Sequence, residues 1–303
     1  MAIEEDRPAD VGIGSIDGAV LAGGKIGKPL VNVVVDWILR LHREDRRAWL
    51  ADVALGIDLF PALGTIDKRA VLKSIAIRDA YHRMYLRVIL KWPVVAQVLA
   101  RLMPVRNRKN FDSIPADRPI ILGPMHFGPI HLACVVLARL LPTRTVHVVH
   151  ADGDQGREVA RFFSRIGIHP ILNDRNAMPK IRQAMTSDPG CAVIIAFDYM
   201  GRPGRWILPL LGTPVGLSNG TASIADEMNA VVVPAYWEGC ASGLRLVICE
   251  AEAVDYRLEQ TERQTQLLQR LLQLLGSRLS AEPQAWAEWH NCPKSVVRSS
   301  EAQ

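Results

Sequence analysis

The fold turns on one stretch: Pro119-Ile120-Ile121-Leu122-Gly123-Pro124-Met125-His126-Phe127-Gly128-Pro129. Its first five residues form an apolar run that reads as a buried strand. Gly123 and Gly128 permit close backbone approach, and Pro129 suits the first turn of a helix that continues to Leu141. Strand, tight turn and helix then recur downstream. Residues 145–150 read as a strand and 155–166 as a helix. Residues 168–172 and 177–187 repeat the pair, and 191–197 reads as a buried strand. Residues 198–217 read as a long Gly/Pro-rich loop. A helix is expected over 218–229, with Ser218 as its cap. Strands over 230–237 and 244–250 are joined by a turn at Ala241-Ser242-Gly243. A last helix spans about 256–279, where Leu268, Leu271, Leu275 and Leu279 recur at helical spacing. This alternation predicts an α/β fold with a mainly parallel central sheet flanked by helices.

Upstream, the pattern is different. Residues 1–27 read as a flexible N-terminus punctuated by Gly12, Gly14, Gly18, Gly23, Gly24 and Gly27. Residues 28–110 read as an N-terminal helical region, ahead of an α/β domain over 111–303. Val31, Val34, Val35, Ile38, Leu39 and Leu41 make one apolar stripe, and 42–47 reads as a solvated break. A helix is expected near 67–92, where Pro93 interrupts it. Over 94–102, Val95, Val98, Leu99 and Leu102 share a side, flanked by Arg101, Arg106, Arg108 and Lys109. Two readings of that segment stand: a core helix with a solvated basic end, or an interfacial element lying on anionic lipid.

A chain of 303 residues accommodates one large α/β domain with a helical extension, or two modest domains. Hydrophobic residues at 49% and charged residues at 22% suffice for a sizeable core. The net charge of +5 suits anionic partners, but scattered basic residues and 6% aromatics argue against nucleic acid. Cys134, Cys191, Cys240, Cys249 and Cys292 form no CxxC pair and no zinc spacing. No metal is therefore expected, and a reducing compartment is. The segment Met1-Ala2-Ile3-Glu4-Glu5-Asp6-Arg7 is unlike a secretory leader, and no run of about 18 apolar residues appears. The expectation is a cytoplasmic protein, soluble or peripheral on the inner face of the membrane.

Chemistry in open α/β sheets gathers at the carboxyl ends of the strands. His126 follows the 119–123 strand, Arg175 follows 168–172, and Asp198 follows 191–197. Three polar groups thus converge from three strand ends. A neutral imidazole at His126, close to the positive start of a helix, can accept a proton from a hydroxyl or amine. Each of the three could equally be a cap or a surface charge.

From Pro119 to His290 the chain resembles the lipid A biosynthesis acyltransferase family, within the wider glycerolipid acyltransferase group. The resemblance is carried by several short matches in order. They are His126-Phe127-Gly128-Pro129-Ile130-His131, Arg175-Asn176 before a helix, and Ile194-Ile195-Ala196-Phe197-Asp198. Downstream stand Leu210-Leu211-Gly212-Thr213-Pro214, Ala230-Val231-Val232-Val233-Pro234, and Pro283, Trp286 and His290. The resemblance implies acyl transfer, without a cofactor, from an acyl carrier protein or coenzyme A thioester to a hydroxyl or amine acceptor. It implies His126 as general base, with His131 and Asp198 in the catalytic set. Arg175 and Asn176 would bind a phosphate or orient the acceptor. Phe127, Gly128, Arg202 and Trp206 would line the substrate, with Leu208 and Leu210 bordering an acyl channel or simply packing in the core.

The chain departs from the family pattern in two places. The acid expected five residues after His126 is His131. Asp198, Asp226 or Glu227 could substitute for it, the chemistry could be easier with an amine nucleophile, or the protein could be an impaired acyl- or carrier-binding relative. A thioester hydrolase using the same base is a further class, although no G-x-S-x-G elbow is present. The membrane-anchoring helix common in the family is also not evident, which favours a soluble acceptor and a carrier-dependent acyltransferase of specialised metabolism over lipid A synthesis.

Overall fold

The computed structural model describes residues 43–64, 66–200, 206–240 and 243–296. The expected flexible segment over 1–27 and the Val31–Leu41 stripe lie outside these residues. Helix α1 (Arg43–Asp58) includes 43–47, whose sequence reads as part of a solvated break over 42–47. Asp67 caps α2 (Lys68–Lys91) by accepting the Ala70 N–H at 3.1 Å, and Pro93 opens α3 (Pro93–Leu102) at its first turn.

Next come β1 (Val105–Arg106), β2 (Ile120–Pro124), α4 (Ile130–Leu140), β3 (Val146–His150), α5 (Asp154–Arg165), β4 (His169–Leu172), α6 (Ala177–Ser187) and β5 (Ala192–Ile194). Then follow β6 (Trp206–Leu210), β7 (Thr213–Leu217), α7 (Gly220–Glu227), β8 (Val231–Cys240), β9 (Gly243–Ile248), α8 (Gln260–Ala281) and α9 (Cys292–Ser295). From β2 to β5 the elements alternate as anticipated, whereas β1, β6, β7 and the short α9 were not expected. Seven strands form one sheet in the order β1-β9-β8-β2-β5-β3-β4. All neighbours are parallel except the β8–β9 hairpin. The fold is thus α/β with a mainly parallel central sheet.

Strand alternation distributes the core over both faces. Ile121, Val193 and Val232 pack with residues of α1, α6, α7, α8 and the C-terminal segment. Ile120, Leu122, Ala192, Ile194, Val231 and Val233 pack with residues of α2, α3, α4 and α5. Helix α1 presses close on the C-terminal segment: a Cβ on Gly56 would stand 2.0 Å from the Trp289 carbonyl oxygen. A side chain there would push the two apart.

The expected loop over 198–217 contains a two-stranded antiparallel ribbon, β6–β7. Its two-residue turn places Leu211 (φ 51°) and Gly212 (φ 78°) in left-handed backbone, as a tight hairpin turn requires. Pro209 and Pro214 face each other across the ribbon. Prolines argue against a central strand but are tolerated where a strand lacks a full ladder on both sides, which is why the composition read as loop. Strand β5 ends at Ile194, earlier than expected. Ser218 contributes at the start of α7 by accepting the Gly220 N–H at 3.3 Å, although the helix itself starts at Gly220. Among the described residues no helix is long and apolar enough to cross a membrane.

Candidate active site

The turn after β2 places His126 at the carboxyl edge of the sheet, next to the segment that follows β5. Asp198 reaches it from there. His126 Nδ1 lies 2.7 Å from Asp198 Oδ1, and the His126 backbone N–H donates to Asp198 Oδ2 at 2.7 Å. The Trp286 indole N–H donates to the same Oδ2 at 2.8 Å. Asp198 is fully buried, so its charge depends on these donors. With Asp198 acting as acceptor on both oxygens, Nδ1 carries the hydrogen, and in the neutral ring Nε2 holds the lone pair that can take a proton.

The C-terminal segment clamps the turn from the other side. Ala287 N–H donates to the His126 carbonyl at 2.9 Å, and Gly128 N–H donates to the Ala285 carbonyl at 3.3 Å. Phe127 and Trp286 form an antiparallel bridge. Gly128 has φ 77°, and a Cβ there would lie 3.2 Å from the Trp237 Cβ, so both conformation and space call for glycine. The same segment carries Glu288, whose Oε1 stands 3.9 Å from His126 Nε2. Glu288 is only 6% exposed. Its Oε2 accepts from Asn291 Nδ2 at 2.9 Å and from the Met200 N–H at 3.5 Å. Tyr199, 44% exposed, holds its ring 6.5 Å from that of His126. Burial pulls the His126 pKa down, but Asp198 and Glu288 outweigh it and push it up to about 9.

His131 stands apart from this arrangement. Its ring stacks on His82 at 5.5 Å and on Phe163 at 6.2 Å, and Nδ1 is buried with no hydrogen-bond partner. Burial, with His82, His150 and His126 nearby, holds its pKa well below the usual value. The acid that orients His126 is thus Asp198. Asp226 is bound instead to Arg263 Nε at 2.6 Å and Gln264 Nε2 at 2.8 Å, and Glu227 to Arg182 Nε at 2.5 Å.

The expected substrate-lining residues are divided. Phe127 is fully buried, which leaves it no surface for a ligand; it anchors the turn in the core. Arg175 and Asn176 are exposed ahead of α6, and among the described residues no hydrogen bond joins them to the His126 cluster. Trp206 is half-buried at the start of β6, and Leu208 and Leu210 belong to the core. Arg202 lies outside the described residues. Glu288 was missed by sequence reasoning. Its signal was an acid between Trp286 and Trp289, where a buried carboxylate needs a reason. No family model matches the chain, and no curated protein matches it.

Proposed function

We propose that the protein is an acyltransferase that moves an acyl group from a carrier-protein or coenzyme A thioester to a hydroxyl or amine acceptor, with His126 as general base. The observation that carries this reading is the His126–Asp198 pair, which fixes the imidazole tautomer and leaves Nε2 facing Glu288 Oε1. The resemblance from Pro119 to His290 supplies the reaction class. In the reaction, Nε2 takes the acceptor's proton as the acceptor attacks the thioester carbonyl. The C–S bond then breaks, and the imidazolium returns the proton to the departing thiolate. Asp198 stabilises the imidazolium between those steps, which His131 with its depressed pKa does poorly. The alternative of an impaired binding protein rested on His131 at the acid's position, and Asp198 on His126 removes that support.

Location at the inner membrane surface is part of the same proposal. On α3 and just before it, Trp92, Val94, Val98 and Leu102 are 50%, 63%, 47% and 69% exposed, while Ala96 and Ala100 face the core. Lys91 and Arg101 flank this outward apolar face, a combination suited to an anionic bilayer.

Thiol release from acyl-coenzyme A and from acyl carrier protein, with and without acceptors, tests the reading. His126→Ala is expected to slow transfer by about 10²-fold or more. Undiminished transfer by that variant overturns it.

A further inference from the structure

We propose that His126 Nε2 and Glu288 Oε1 form a two-acceptor fork that selects a primary amine as acyl acceptor, making the protein an N-acyltransferase. This inference rests on the acyl-transfer reading above and narrows its acceptor. Glu288 is buried to the same degree as core residues, and its Oε2 is occupied by Asn291 and the Met200 N–H. Among the described residues no hydrogen bond is made to its Oε1, which faces His126 Nε2 across 3.9 Å. That distance is too long for a direct bond but admits one atom about 2.9 Å from each.

What that atom must be follows from hydrogen counting. Nδ1 donates to Asp198, so Nε2 in the neutral ring is an acceptor. Oε1 is an acceptor as well. A hydroxyl has one hydrogen; if it donates to Nε2, its own lone pairs confront Oε1. An ammonium has three N–H groups and can satisfy both acceptors at once. Charge points the same way. Among the described residues neither Asp198 nor Glu288 forms an ion pair with lysine or arginine, and His126 is their one cationic neighbour. With the ring neutral, the two carboxylates leave the described part of the site in excess negative charge, which a cationic acceptor offsets. Such a ligand also offsets the effect of Glu288 on His126, freeing Nε2 to act as a base.

The chemistry balances without another reactant. The bound ammonium first loses one proton to solvent. The amine nitrogen then attacks the thioester carbonyl carbon, forming the C–N bond, and passes its second proton to Nε2. The C–S bond breaks, and His126 returns that proton to the thiolate. The products are an amide, a thiol and one released proton.

The test uses the full chain, labelled with ¹⁵N-histidine, and three probes: hexan-1-amine, hexan-1-ol and hexane-1,2-diol. Saturable shifts of the His126 ring resonances are expected with the amine. Affinity for the amine should fall roughly thirtyfold in Glu288→Gln, which keeps the shape of the side chain and its bond from Asn291. The two alcohols should bind weakly to both proteins. Equal or tighter binding of hexanol or the diol by the wild type overturns the proposal, and so does undiminished amine binding by the variant. The comparison among ligands on the wild type stands even if the variant misfolds. Octanoyl-coenzyme A is then added. Amide formation supports both readings, whereas amine binding with no acylation from any thioester counts against acyl transfer and leaves the amine site standing.

Discussion

Asp198 grips His126 twice: one carboxylate oxygen meets the ring nitrogen Nδ1 and the other accepts the backbone N–H of the same residue, both at 2.7 Å. The ring and the turn that carries it are thereby oriented by one side chain, and Trp286 holds that side chain in place. Asp198→Asn would set an amide N–H against one of these three donors. Transfer is expected to fall by roughly 10²–10⁴-fold. Stability should fall by about 1.5–3 kcal/mol, the usual worth of a hydrogen bond to a charged group. Steady-state kinetics and urea unfolding check both. A variant with wild-type kcat would remove Asp198 from the mechanism.

The pH dependence has a definite sign. His126 has its pKa raised from 6.5 to about 9 in the folded protein, because Asp198 and Glu288 outweigh burial. Its charged form therefore stabilises the fold fully below about pH 6.5, and this contribution is lost as pH rises through about 9. Activity follows the opposite course, since the base must be neutral; kcat/KM should climb over the same window and level off above about pH 9. Glu288→Gln removes one of the two carboxylates and should move the rising limb to lower pH. A wild-type profile already flat from pH 6 would contradict this assignment.

His131 provides the control. Its buried Nδ1 has no partner, and its ring stacks on His82 and Phe163. His131→Phe keeps a flat ring in that stack and removes the unsatisfied nitrogen. Stability is expected to stay within about 1 kcal/mol of wild type or to rise. The rate of transfer should be unaffected. A loss of 10²-fold or more would place His131 in the chemistry after all.

The exposed face of α3 predicts binding to anionic vesicles. Sedimentation with phosphatidylglycerol vesicles should retain the protein at low salt, and release should follow added salt as the charge attraction is screened. Val98→Glu should abolish retention, because it sets a charge in the middle of the apolar face. Equal retention of wild type and variant would contradict a lipid-facing role.

Much of this was legible from residues alone, for identifiable reasons. Ile120–Gly123 and Val231–Val233 are buried on both faces, so their apolar runs announced a parallel sheet. His126 and Asp198 were found because each follows such a strand. The β6–β7 ribbon was hidden by Pro209, Gly212 and Pro214, which signal loops unless the strands lie outside the centre of a sheet. Glu288 lies 162 positions beyond His126 in the sequence, and only the clamp of Ala285–Ala287 on the turn brings them together. No local pattern encodes that contact. His131 drew attention through its spacing, yet its place near the start of α4 directs the ring toward His82.

The most direct test of the central claim is rapid-quench mass spectrometry of the protein, an acyl thioester and an acceptor. The account predicts that the acyl mass moves to the acceptor with no acylated protein at any time, and that His126→Ala abolishes the movement. An acyl adduct on the protein, or transfer at the wild-type rate by His126→Ala, would contradict His126 as the base of a direct transfer.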